Sequence, residues 1–171
     1  MAKQDLSYAQ PGMTRGDEVP RGYGREEHSV ELDLDFDAAC EALEAFATHQ
    51  LPYMFLHPSG VRVAEGADVI VCARVFGLWT LNPCRVVWVE RSVGRFAYGY
   101  GTLPGHSEHG EEAFVVEQTA AGRVTAMTSA WARPQDLLAR LGRPVAHRVQ
   151  RQVKIDYMGA IERFARENPP A

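Results

Sequence analysis

The sequence predicts an α+β domain in which a bent antiparallel sheet of about seven strands is packed on one long C-terminal helix. Three observations lead there. Between residues 61 and 132, six β-patterned runs follow one another through turns too short for the crossovers that parallel strands need. From residue 145 to residue 164, apolar side chains recur at helical spacing. A single strand and helix precede both, giving the order strand, helix, six strands, helix. At 171 residues, folding buries roughly 70% of the surface of the unfolded chain, enough for one substantial core.

Residues 1–27 contain Pro11, Gly12, Gly16, Pro20, Gly22 and Gly24 with little periodicity, and predict an irregular arm pinned by Tyr8, Met13 and Tyr23. A single domain is expected over 28–167, with 168–171 as a tail. His28 to Asp35 alternates Val30, Leu32 and Leu34 with Glu31, Asp33 and Asp35, the period of a half-buried strand. Asp35 or Asp37 can cap a helix to about Gln50, with Phe36, Ala39, Cys40, Leu43, Phe46 and Ala47 on one stripe and Pro52 as its stop. The β-patterned runs lie near 61–64, 68–76, 78–90, 95–102, 111–118 and 123–132. A tight turn at Ser92-Val93-Gly94 sets Trp88 near Tyr98 and Val86 near Tyr100, to within one residue, as an aromatic wall on one face. The Gly77 turn brings Cys72 near Asn82 or Cys84, and Gly122 closes the last hairpin. Pro134 to Leu141 suits a short helix ended by Gly142. Pro144 then starts the long one, whose stripe is Val145, Val149, Val153, Tyr157, Ala160, Ile161 and Phe164.

Composition narrows the functional classes. There is no apolar run of about 18 residues for a membrane span and no apolar core of a secretory signal, so a cytoplasmic protein without an integral membrane segment is expected. Three cysteines without CxxC spacing argue against a disulfide framework or a zinc ribbon. Residues 1–50 hold 4 basic and 11 acidic side chains, while 133–167 hold 8 basic and 4 acidic. The whole chain nevertheless stands at −4, and its basic segment is interleaved with carboxylates, which disfavours a nucleic-acid partner. No GxSxG elbow, P-loop or helix-opening GxGxxG is present, so nucleotide chemistry is disfavoured and no cofactor is expected.

One segment concentrates polar chemistry: Tyr100-Gly-Thr-Leu-Pro-Gly-His106, followed by Glu108, Gly110, Glu111, Glu112, Ala113 and Phe114. It resembles the signature of a bacterial and plant family called domain of unknown function 1990. Leu6-Ser-Tyr8-Ala-Gln-Pro-Gly12-Met-Thr14-Arg15 with Gly22-Tyr23 resembles that family's N-terminal pattern, and Val149-Gln150-Arg151 with Tyr157 its C-terminal helix. The resemblance covers nearly the whole chain. It implies a helix-grip fold of the START-like, lipid-binding kind, and it carries no established activity. His109 stands where the family pattern more often has arginine.

Within that segment, His106, His109, Glu111 and Glu112 are ligand types for zinc or iron, yet their spacing matches no compact site, so no metal is expected. His106 poised by Glu111 or Glu112 is a candidate general acid or base, because imidazole titrates near neutrality and a carboxylate orients it. The structural alternative makes the glycines a turn, the glutamates solvated or paired with arginines, and His106 a backbone cap. Arg74 interrupts an otherwise apolar strand. It either holds the acidic head of an amphipathic ligand or forms an internal ion pair with Glu90, Glu112 or Glu117. Asp156 is expected on the solvated face of the last helix.

The expected function is binding of a hydrophobic or amphipathic small molecule in a cavity between the sheet and the C-terminal helix. Tyr98, Tyr100, Trp88, Arg74 and Trp131 are the candidate lining, and His106 and Glu112 stand near the entrance. The first alternative is a cyclase, isomerase or hydrolase using His106 and Glu112 as catalytic groups. The second is a protein-interaction module using the basic last helix at Arg148 and Arg151.

Overall fold

The computed structural model describes residues 4–75, 77–134 and 143–168, the side chains at 134 and 143–151 excepted. The expected short helix at 134–141 and the side chains of Val145, Arg148, Val149 and Arg151 therefore lie outside the described residues.

Seven antiparallel strands form one sheet, and the order of elements is as expected. Strand β1 (Gly24–Leu32) leads into helix α1 (Phe36–Glu44). The strands β2 (Met54–His57), β3 (Asp68–Val75), β4 (Leu78–Ser92), β5 (Arg95–Thr102), β6 (Glu108–Gln118) and β7 (Val124–Pro134) follow, and helix α2 (Arg143–Glu167) closes the chain. Across the sheet the order is β1-β7-β6-β5-β4-β3-β2. After β1 the chain thus crosses to the far edge by way of α1, then returns as a meander whose last strand pairs with the first. This is the helix-grip arrangement, with α1 and α2 in contact and an extensive core of which Leu43, Phe46, Tyr98, Phe114, Val116 and Ile161 are fully buried members.

Four local expectations need correction. The second strand is Met54–His57, whereas 61–64 is irregular, with Val63 buried and its N–H bonded to the Glu44 carbonyl at 2.9 Å. Helix α1 stops at Glu44 rather than Gln50, because Phe46 takes a left-handed backbone at φ 52° and starts a 3₁₀ turn, Ala47–His49. That conformation costs a residue with a Cβ roughly 1–2 kcal/mol. Burial of the Phe46 ring, edge-on to Tyr98 at 5.3 Å, accompanies it. The turn swings Thr48 and His49 into the interior, both without exposed surface. In the β3–β4 ladder, Cys72 faces Leu81, and Cys84 faces Val69.

The fourth correction concerns Trp88. Val86 pairs with Tyr100 as expected, but a bulge between Val86 and Trp88 puts Trp88 opposite Gly99. One inserted residue reverses the side-chain alternation, so Trp88 joins Ala97, Ala113 and Val115 in a separate convex-face cluster. The aromatic wall facing α2 is made instead by Tyr98, Tyr100 and Phe114.

The N-terminal arm covers the convex face. Tyr8 and Met13 pack on Trp131, which is 1% exposed. Glu111 anchors them. Its carboxylate accepts hydrogen bonds from the Tyr8 hydroxyl (2.6 Å), the Gly12 and Thr14 amides (2.7 and 3.2 Å), the Thr14 hydroxyl and the Trp88 indole (2.9 Å). Charge-assisted bonds of this kind are the strong class. The glycines of the signature make room for it: a Cβ on Gly99 would stand 2.3 Å from the Trp88 indole nitrogen, and one on Gly101 would stand 2.1 Å from the Tyr8 hydroxyl.

Candidate functional site

Successive residues of a strand face opposite sides of a sheet, so the neighbours Glu111 and Glu112 part company. While Glu111 holds the arm, Glu112 faces a cavity of about 240 Å³ between the concave face and α2. Met54, Val71, Ala73, Val75, Ala130 and Val153 supply the cavity's apolar lining. Its polar groups come from Glu26, Tyr53, Asn82, Tyr100, His106, Glu108, Lys154 and Tyr157 as well as Glu112.

Glu112 lies deep inside the protein yet keeps some accessible surface, because it borders this cavity. The Tyr100 hydroxyl donates to Oε2 at 2.7 Å and the Thr128 hydroxyl to Oε1 at 3.1 Å. Burial raises its pKa above the usual carboxylate value, and the Lys154 ammonium and the two hydroxyls pull it partly back. Lys154 is committed elsewhere: its Nζ donates to the Glu26 carbonyl at 3.1 Å and pairs with Glu26 Oε2 at 3.3 Å. Among the described residues, no cation forms an ion pair with Glu112.

Behind Tyr100 stands His49. Its Nε2 is 3.2 Å from the Tyr100 hydroxyl and its Nδ1 is 2.9 Å from Thr48 Oγ1. Burial pushes its pKa down to about 3, so the ring is neutral at pH 7. A neutral imidazole can accept from Thr48 at Nδ1 and donate to Tyr100 from Nε2. Tyr100 in turn donates to Glu112, so the chain of hydrogen bonds ends on the carboxylate.

His106 and Glu112 line the same cavity. His106 Nδ1 stands 2.9 Å from the Glu108 amide, which can donate to it, and 3.1 Å from the Glu108 carbonyl, which can accept from it. Burial pushes the His106 pKa down to about 4, so it too is neutral at pH 7. Tyr100 and Arg74 also border the cavity, but Arg74 is exposed, and its Nε reaches the Gly77 carbonyl at 3.4 Å. The expected internal ion pair does not form, because Glu90 and Glu117 both pair with Arg95 and Glu112 bonds hydroxyls.

The other expected lining residues lie elsewhere. Tyr98 is fully buried in the core, stacked on Phe114 at 5.1 Å. Trp88 and Trp131 are on the convex face, where the Trp131 indole donates to Ser129 Oγ at 3.0 Å. Asp156 is part-buried, accepting from the Tyr53 hydroxyl and from Gln152 Nε2 at 2.9 Å. Glu111 is buried and Glu112 borders the cavity, and among the described residues neither pairs with arginine.

Sequence reasoning did not single out Glu26, Tyr53, His49 or Lys154. A signal existed for Lys154, three residues before Tyr157 and seven before Ile161, hence on the apolar stripe. For His49 there was none, since a helix continued to Gln50 would aim it differently.

Comparison with known proteins gives a consistent picture. The sequence profile of the family described as "Domain of unknown function (DUF1990)" matches residues 7–160. A UPF0548 protein of Deinococcus radiodurans is 32% identical over 109 residues, covering 59% of this chain and 55% of the relative, so the match spans little more than half that protein's length. The Zhui aromatase/cyclase from Streptomyces sp. R1128 superposes with a TM-score of 0.63 at 15% identity, covering 87% of this chain and 97% of that one. A START superfamily protein from Mycobacterium smegmatis gives 0.61 at 9% identity, covering 83% and 99%. At these identities the two structures speak to the fold. Among the described residues, no helix is long and apolar enough to cross a membrane.

Proposed function

This chain belongs to the DUF1990 family, and from that premise we propose that it binds a hydrophobic or amphipathic small molecule in the cavity between the sheet and α2. The observation that carries the reading is the cavity itself: about 240 Å³, with an apolar lining and a few convergent polar groups, lying between the sheet and helix that define the fold. Protein interiors are otherwise close-packed, and a pocket with this mixture of walls is the usual form of a small-molecule site. The fold neighbours support the architecture alone, since one fold hosts many functions.

Native mass spectrometry of protein purified gently from its own cells tests the proposal, followed by denaturing analysis of whatever is released. A stoichiometric organic molecule is expected, lost when Val71→Trp fills the cavity. Protein that carries no such molecule, and whose melting temperature responds to no apolar ligand, would sink the reading.

A second reading is favoured by one observation: Glu112 and the neutral His106 line the same cavity, and the carboxyl is poised above its ordinary pKa. In that reading Glu112 exchanges a proton with bound substrate as general acid or base and the neutral His106 hydrogen-bonds the substrate, the chemistry of an isomerase or cyclase. Glu112→Gln then abolishes turnover while substrate is still bound. Undiminished turnover in that variant would refute the catalytic role.

A further inference from the structure

The cavity's charges are not balanced where they matter. Among the described residues, Lys154 is held by Glu26 and acts on Glu112 without pairing with it, Arg74 is exposed against the Gly77 carbonyl, and the Glu112 carboxylate accepts from two neutral hydroxyls and no cation. A carboxylate offers about four acceptor positions, so roughly two stay open toward the cavity. A buried anion whose nearest cation is already paired with another carboxylate is only partly compensated, and a direct counter-charge stabilises it further. The group that completes this site is therefore a cation with several N–H donors.

We propose that the cavity accepts a small molecule with an apolar body and a protonated amine, its ammonium seated on the Glu112 carboxylate. This rests on the cavity-binding reading above and narrows its ligand class. Carboxylate amphiphiles are disfavoured, since a second anion beside Glu112 meets like-charge repulsion in a medium of low dielectric. An alcohol can use the open acceptor positions but leaves the charge only partly compensated. Size follows from the volume: a cavity of about 150 Å³ takes benzene, so one of about 240 Å³ takes on the order of ten non-hydrogen atoms.

Three probes of matched length test it: octylammonium, 1-octanol and octanoate, titrated calorimetrically into the intact chain at pH 7 and low salt, with octanol also used to displace the amine. Octylammonium is expected to bind at least tenfold more tightly than either of the others and to be displaced by octanol. Glu112→Gln is expected to abolish that preference, with its circular dichroism melt confirming a folded protein. Should the variant not fold, the wild-type ratio of amine to octanoate decides the matter alone. Octanoate binding as tightly as the amine, amine that octanol does not displace, or a folded Glu112→Gln with its preference intact would overturn the proposal while leaving the cavity reading standing. If none of the three binds, the cavity reading falls and the proposal with it.

Discussion

Gly101→Ala should strip the N-terminal arm from the sheet, because the new methyl group would lie 2.1 Å from the Tyr8 hydroxyl and 2.7 Å from its ring. No rotation of the alanine relieves that contact, so Tyr8, 7% exposed, must leave. Its departure forfeits the packing of one aromatic ring, about 3–5 kcal/mol by analogy with large-to-small core changes. This figure includes the 2.6 Å bond to Glu111, and the Gly12 and Thr14 bonds to the same carboxylate loosen with it. For a chain of this length the loss corresponds to a fall in melting temperature on the order of 10 °C. Urea titration of wild type, Gly101→Ala, Tyr8→Ala and the double variant separates cause from coincidence. If the clash with Tyr8 is the whole mechanism, alanine at 101 is nearly neutral once Tyr8 is gone, within about 0.5 kcal/mol. Trypsin should also cut faster at Arg15 and Arg21 in Gly101→Ala than in wild type. An equal penalty for Gly101→Ala with and without Tyr8 would refute this reasoning and place the need for glycine in the strand backbone itself.

Three further outcomes are expected. Glu112→Gln should stabilise the protein by about 1–2 kcal/mol at pH 8, since it removes a buried charge that is only partly compensated and has no direct ion-pair partner among the described residues. A carboxyl whose folded pKa is raised loses stability as pH climbs through that window, so the gain should vanish near pH 4.5; urea titrations at both pH values show it, and a destabilised variant at pH 8 contradicts it. His49 and His106 work in the opposite sense: their folded pKa values are depressed to about 3 and about 4, so the unfolded chain takes up protons first and stability falls as pH drops from about 6.5 toward 4. His49→Gln should flatten that acid limb, and an unchanged slope would mean that other groups set it. Iodide should quench Trp79, which is 53% exposed, and spare Trp88 and Trp131, so Trp79→Phe should remove nearly all quenchable emission; quenching that persists in the variant would place a second tryptophan at the surface.

The elements most legible in the sequence were the long ones. Strands β3 to β7 and helix α2 run far enough for their pattern to show, even though β5 and β6 bury residues on both faces. Strand β2 escaped notice because Met54 to His57 is four residues at an edge beside Pro52, while the more strand-like Val61 to Ala64 docks as irregular chain through Val63. The bulge before Trp88 has no compositional mark, and one residue of slip carried that side chain to the wrong face. Arg74 misled for a related reason: the outer face of β3 is itself apolar at Ile70 and Cys72, so an arginine there looked buried. At the site, Glu112, His106 and Tyr100 were found because they cluster in sequence. Lys154 and Glu26 reach the cavity and His49 backs Tyr100 from three separate elements, and only the fold brings them together.

Glu111 and Glu112 share a peptide bond while serving opposite sides of a sheet one residue thick. The N-terminal arm therefore backs the strand segment that carries the cavity carboxylate, and deleting residues 4–14 would leave Glu111 without its Tyr8, Gly12 and Thr14 donors one peptide bond away from Glu112.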